Sequence, residues 1–231
     1  MVHCITRPCR LAARLALLLS VLSLVLILAG CATVVDVFVP HHNQSVDLND
    51  IPAGHYRLDE VHSSLHFRVD HMGYSRYMAR FNRLEAEFML EKNAPERAAL
   101  KVIIDSASVD TADPEMDTII SGPQVLDSAR YPEIRFEAAG LQVVDERRGH
   151  LEGLLHMKGR HRPVSLEVIF HGGAKNSLTG RYVLGFSATG RFSRSAFGAG
   201  AFRPLVGDEV EILVEAEFYL VDGGATQGAE K

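Results

Sequence analysis

The chain has 231 residues, 47% of them hydrophobic and 23% charged, with 24 Lys and Arg against 29 Asp and Glu. That composition is globular and excludes collagen-like, coiled-coil and wholly disordered chains. A formal net charge of −5 also argues against nucleic acid, whose binding needs clustered Lys and Arg to neutralise phosphates.

Residues 1–30 read as a leader. Met1 to Arg14 holds Arg7, Arg10 and Arg14 with no acidic residue, and Leu15 to Ala29 is a nearly unbroken run of Leu, Val, Ile and Ala. As a helix that run rises only about 22 Å, short of the roughly 20 residues that span a bilayer, so it predicts an export signal. Leu28-Ala29-Gly30-Cys31 resembles the lipobox of bacterial lipoprotein signal peptides, in which the cysteine is acylated after cleavage. The resemblance implies a palmitate-type anchor on Cys31 and a location in the bacterial envelope. Ala32 after the cysteine implies the outer membrane, facing the periplasm. Cys4 and Cys9 leave with the leader, so the mature chain has no disulfide, no Cys-ligated metal and no Cys nucleophile. It keeps 21 basic residues against 29 acidic ones and is read as one domain.

Residues 31–54 read as a flexible tether, because Pro40, His41-His42-Asn43-Gln44-Ser45, Asn49-Asp50, Pro52 and Gly54 break any periodicity. Residues 55–221 form the domain, and 222–231 read as a disordered tail.

Within the domain apolar residues recur with period two. In chain order the inward faces are Leu65, Phe67, Val69 and His71; Leu84, Ala86, Phe88 and Leu90; Leu100, Val102 and Ile104; Ile134, Phe136 and Ala138. Then come Leu151, Gly153, Leu155 and Met157; Val164, Leu166, Val168 and Phe170; Tyr182 through Phe192; and Val210 through Leu220. Residues 114–128 alone depart from this pattern. Asp113-Pro114 predicts a helix start, Met116, Ile119 and Ile120 share one face, and Gly122-Pro123 ends it. Eight strands with one apolar face predict an all-β, mostly antiparallel fold, either a sandwich or a barrel with one short helix. Small residues on the inner face (Ala86, Gly153, Ala188, Gly190, Ala216) leave either a ligand cavity or relief from crowding.

An ordered set of short motifs carries more. Tyr56-Arg57-Leu58-Asp59, His62-Ser63, Phe67, Val69, His71, Gly73 and Ser75 open it, followed by Asp105 to Thr111, Asp117, Leu126-Asp127 and Tyr131-Pro132. Gly153 to Gly159, Pro163-Val164, Arg194-Ser195 and Phe197-Gly198 complete it. Over about residues 55–220 the chain resembles the YceI-like family of lipocalin-like envelope proteins. The resemblance implies an extended eight-stranded antiparallel barrel whose apolar tunnel holds a polyisoprenoid lipid or isoprenoid quinone. It implies no catalysis and no cofactor beyond that ligand, and it leaves room for a homodimer. Ala196 stands where the family usually has Asp, Ile119 where His is common, and Val125-Leu126 where Phe-Phe is frequent. Those departures bear on head-group contacts more than on the tunnel. Another reading is a structural or interaction module whose barrel is filled by its own side chains.

The candidate ligand-binding residues are Phe67, Val69, His71, Phe88, Leu155, Phe186, Ala188, Arg194, Phe197, Ala216 and Phe218. His71 ends its strand on the apolar face, placed either to bond a neighbouring strand or to meet a polar head. Arg194 follows an inward strand and either clamps Asp59 or Asp117 or holds a phosphate, since a buried guanidinium needs pairing. His62 and His66 are about 13 Å apart along a strand, too far to share one ion, so no metal site is expected. His62 and Ser63 are neighbours on opposite faces, so the histidine does not activate the serine and no catalytic residue is expected.

Overall fold

Alternation becomes a closed wall in the computed structural model, which describes residues 44–221. The leader, Cys31, residues 31–43 of the tether and the tail 222–231 lie outside the described residues. The strands are β1 (Gly54–Leu58), β2 (Ser64–His71), β3 (Ser75–Phe81), β4 (Leu84–Glu91), β5 (Ala94–Asp105) and β6 (Val109–Asp110). They continue with β7 (Glu133–Val143), β8 (Arg148–Met157), β9 (Arg160–Lys175), β10 (Tyr182–Ser193) and β11 (Val206–Leu220).

These eleven segments make eight staves. β1 and β2 both pair antiparallel with β11, so they are two halves of one interrupted strand. β3 and β4 follow the same edge, pairing with β2 and β1 respectively. β6 and β5 do so in turn against β3 and β4. From β5 the wall runs through β7, β8, β9 and β10 to β11, every neighbour antiparallel, and the β1–β11 pairing closes it. The fold is therefore the expected all-β, lipocalin-like barrel of eight strands, not a sandwich. Helix α1 (Pro114–Ser121) starts where Asp113 accepts the Glu115 N–H at 3.0 Å, with Pro114 in its first turn.

Two expectations needed correction. Ser75–Phe81 turns Tyr77, Ala79 and Phe81 inward, but Met78 on the outer face is 48% exposed and blurs the alternation, so this stave half was missed. The tether does not run to residue 54. Ser45 exchanges main-chain hydrogen bonds with Gly173 at 2.9 and 2.8 Å, Ile51 is only 2% exposed, and the Tyr56 hydroxyl donates to the Pro52 carbonyl at 2.7 Å. One buried isoleucine and two backbone bonds turn residues 44–54 into part of the wall, a fixing that turn-forming composition cannot reveal.

The antiparallel order sorts the connections into two rims. The upper rim carries the β2–β3 turn, residues 111–132 with α1, the β8–β9 turn and the β10–β11 loop. The lower rim carries residues 44–53 and the β4–β5, β7–β8 and β9–β10 turns.

On the outer wall Glu211 sits between Arg68 and Arg191 of the flanking strands, with Arg76 at 3.0 Å. The hydrogen bond from Arg68 is the main cause that takes its carboxyl from an ordinary 4.5 down to about 2, against partial burial. A carboxyl depressed in the folded state contributes stability above its unfolded pKa and loses it as pH falls through the folded one. Glu211→Gln should accordingly flatten the decline of stability between pH 4.5 and 2. Urea denaturation across that range checks it, and an unchanged acid limb would contradict the account.

Candidate functional site: an apolar tunnel

The inward faces do not meet. They enclose a cavity of about 1230 Å³, larger than the roughly 300–1,000 Å³ of common small-molecule pockets. Its wall reaches Met72, Ile119, Phe202 and Leu205 at the upper rim and Leu48, Asn93, Val143 and Arg147 at the lower one. The space is thus a tunnel along the barrel. Protein cores leave few voids larger than a water molecule, so side chains have not filled this barrel.

Small residues open the tunnel at only some of the expected places. Ala86, Ala188 and Ala216 line it. Gly153 and Gly190 do not. A Cβ on Gly153 would lie 2.3 Å from the Phe136 ring, and one on Gly190 would lie 2.4 Å from the Leu166 side chain. These two glycines relieve crowding, as a filled layer requires.

Of the candidate residues, Phe67, Val69, His71, Phe88, Leu155, Phe186, Ala188, Arg194, Ala216 and Phe218 line the cavity. Phe197 does not. It is almost fully buried beneath the wall, its ring edge-on to Phe192 at 5.5 Å, and it props the β10–β11 loop instead. One aromatic cluster stiffens the lower half: Phe88 stacks on Tyr56 at 5.1 Å and meets Phe218 edge-on at 5.0 Å, while Phe186 lies 5.2 Å from Phe170. The sequence reading missed the contribution of α1 and the loops, whose Met116, Ile119, Ile120, Phe202 and Leu205 narrow the upper end.

The polar groups at that end differ in kind. His71 is half-buried on the tunnel wall, its ring 6.1 Å from Tyr77, and its imidazole takes part in no hydrogen bond among the described residues. Arg194 is the opposite case. It is only 7% exposed, and its guanidinium donates to the main-chain carbonyls of Gly207 at 2.7 Å, Ala201 and Val206 at 2.8 Å, and Ala199. The expected pairing with Asp59 or Asp117 is therefore wrong. Asp117 accepts from the Thr111 N–H and hydroxyl, both at 2.7 Å, and Asp59 faces His62 at 3.0 Å. Arg194 is a clamp on the β10–β11 loop, with four of its five donors spent on carbonyls.

The break between β1 and β2 explains Asp59, His62 and Ser63. The Asp59 N–H donates to the Glu217 carbonyl at 2.8 Å, and the Ser63 hydroxyl accepts from the Glu217 N–H at 3.0 Å. Burial opposes the Asp59 charge, but the hydrogen bond and charge of His62 outweigh it, so its pKa is lowered while that of His62 is raised. Asp59, His62 and Glu217 bring donor atoms within 4.8 Å of one another, yet Asp59 and His62 already satisfy each other. A serine does meet a histidine on the outer wall: Ser187 lies 2.6 Å from His171 and donates to Glu215 at 2.6 Å. There the hydroxyl sits between base and acid, so no acid orients the histidine as a nucleophile's base requires.

A closed antiparallel barrel around a continuous apolar tunnel, with loosely placed polar groups at its mouths, defines a lipocalin-like binding protein. Residues 56–218 match the YceI-like domain, and the chain belongs to that family. A UPF0312 protein of Yersinia pestis is 30% identical over 168 residues, covering 71% of this chain and 86% of that one. One from Vibrio cholerae is 30% identical over 150 residues, 63% of this chain and 78% of its own. Among solved structures, BcnA of Burkholderia cenocepacia superposes with a TM-score of 0.63 at 20% identity, over 69% of this chain and 98% of that chain. A polyisoprenoid-binding domain from Saccharophagus degradans, implicated in plant cell wall breakdown, superposes with a TM-score of 0.56 at 13% identity, over 72% and 98%. At these identities the likeness to both solved structures shows the fold.

Proposed function

We propose that this protein binds, without catalysis, a long-chain polyisoprenoid lipid or isoprenoid quinone in its tunnel. The observation that carries the reading is the 1230 Å³ apolar cavity running from rim to rim. A compact ligand needs no such length, whereas a flexible isoprenoid tail fills it and removes its own apolar surface from water. The polyisoprenoid-binding domain of the same fold supports the choice of ligand. The tail occupies the aromatic and aliphatic wall, and the polar head meets His71 at the upper mouth.

His71→Phe should leave tail binding intact and weaken discrimination among heads. A hydrogen bond to a charged group is worth about 1.5–3 kcal/mol, roughly ten- to a hundredfold in affinity. Affinities of a head-bearing isoprenoid and a headless hydrocarbon of equal length, measured on both proteins, decide it. Equal weakening of both ligands, or of neither, would make His71 a structural residue.

The lipobox resemblance supports a location on the bacterial outer membrane, facing the periplasm, with the protein held by acylated Cys31. Buried acyl chains contribute about 0.8 kcal/mol per methylene, and more than one chain is needed for stable anchoring. Cys31→Ser should move the protein to the soluble envelope fraction or leave the leader uncleaved. Wild-type protein found wholly soluble after fractionation would refute the anchor.

A further inference from the structure

His156 of β8 and His161 of β9 stand directly opposite each other across the Lys158-Gly159 turn. Leu155 and Met157 on either side of His156 are buried inward, which sends both imidazoles to the outer wall, away from the tunnel. Their ring centroids are 5.6 Å apart and their planes 37° from parallel. The His156 Nε2 atom is buried and has no hydrogen-bond partner. The His161 ring, too, takes part in no hydrogen bond or ion pair among the described residues. A buried polar atom left unpartnered calls for an explanation, and two idle imidazoles facing each other on a rigid hairpin supply one.

We propose that His156 and His161 chelate one divalent transition ion of borderline softness, such as Cu2+, Ni2+ or Zn2+, with water completing its shell. Imidazole nitrogens suit these ions and bind zinc at about 2.0–2.1 Å, so two nitrogens on one ion lie within about 4 Å of each other. From rings 5.6 Å apart, that separation calls for side-chain rotation on the hairpin. Arg135 of β7 stands opposite His156 in register, and its guanidinium is held by Glu133 at 2.8 Å, while Arg162 on the hairpin donates to the His161 carbonyl. The site is separate from the tunnel, so it stands or falls independently of the lipid reading.

Electron paramagnetic resonance with one equivalent of Cu2+ tests this on the purified protein. The spectrum should show two coordinating nitrogens. His156→Gln and His161→Gln should each abolish that signature and weaken Cu2+ binding about tenfold or more, because the second ligand acts intramolecularly. Replacing His41 and His42 together, or His62 alone, should leave it unchanged. A two-nitrogen signal that survives either His156→Gln or His161→Gln, or that vanishes with His41 and His42, overturns the proposal. Without any substitution, substoichiometric Cu2+ should broaden the His156 and His161 ring resonances first. Another pair broadening first would equally overturn it.

Discussion

Replacing Arg194 with methionine is expected to cost about 3–5 kcal/mol, since buried carbonyls left without a donor cost about 1–3 kcal/mol each. Methionine keeps much of the apolar stem but leaves the carbonyls of Ala199, Ala201, Val206 and Gly207 without their donor. For a domain of this size that corresponds to a fall in melting temperature on the order of 10 °C. Arg194→Lys should recover only part of it, since an ammonium has three donors against the five of a planar guanidinium. Thermal denaturation followed by circular dichroism measures both. A methionine variant melting within about 2 °C of the parent would mean the clamp is dispensable.

Adding bulk to the inner wall should have opposite consequences at two positions only two residues apart. Ala188 lines the tunnel, so Ala188→Trp should fill ligand space, leave the melting temperature nearly unchanged and abolish lipid occupancy. Gly190 is already covered: its Cβ would lie 2.4 Å from Leu166 Cδ2 and 2.8 Å from the Ser165 carbonyl. Gly190→Leu should therefore destabilise the barrel by about 1–3 kcal/mol through overpacking. Melting curves and native mass spectra of the two variants, taken together, separate a tunnel from a filled core. Equal destabilisation by both would place the wall at Ala188 in a packed layer.

Legibility from sequence followed the range of the interactions. β11 was plain, because Val210 to Leu220 alternates against Glu209, Glu211, Glu215 and Glu217, interrupted only by Leu213 and Tyr219 on the outer face, and needs no partner to be read. The tunnel wall was equally accessible, since an inward strand position is fixed by period two alone. What failed depended on distant chain. Whether Gly153 opens space or admits Phe136 is decided by a residue seventeen positions away on β7. Arg194 looked like an ion-pair residue because its partners are carbonyls, which every sequence position has and none advertises. Phe197 carried a motif match and an apolar side chain, but it lies in a short turn after β10, where alternation no longer says which way a side chain points. Residues 44–54 read as tether because most of what holds them is distant in sequence: the bridge to Gly173, the burial of Ile51 and hydrogen bonds from Tyr56, Lys92 and Tyr182.

The most direct test of the central claim is native mass spectrometry of the wild-type protein purified from a bacterial envelope without added lipid. The account predicts a population heavier than the bare polypeptide, whose extra mass collisional activation releases as an isoprenoid lipid or quinone. That adduct should be missing from Ala188→Trp. A wild-type spectrum showing only the bare chain mass, or an adduct retained in full by Ala188→Trp, would contradict a tail-holding tunnel.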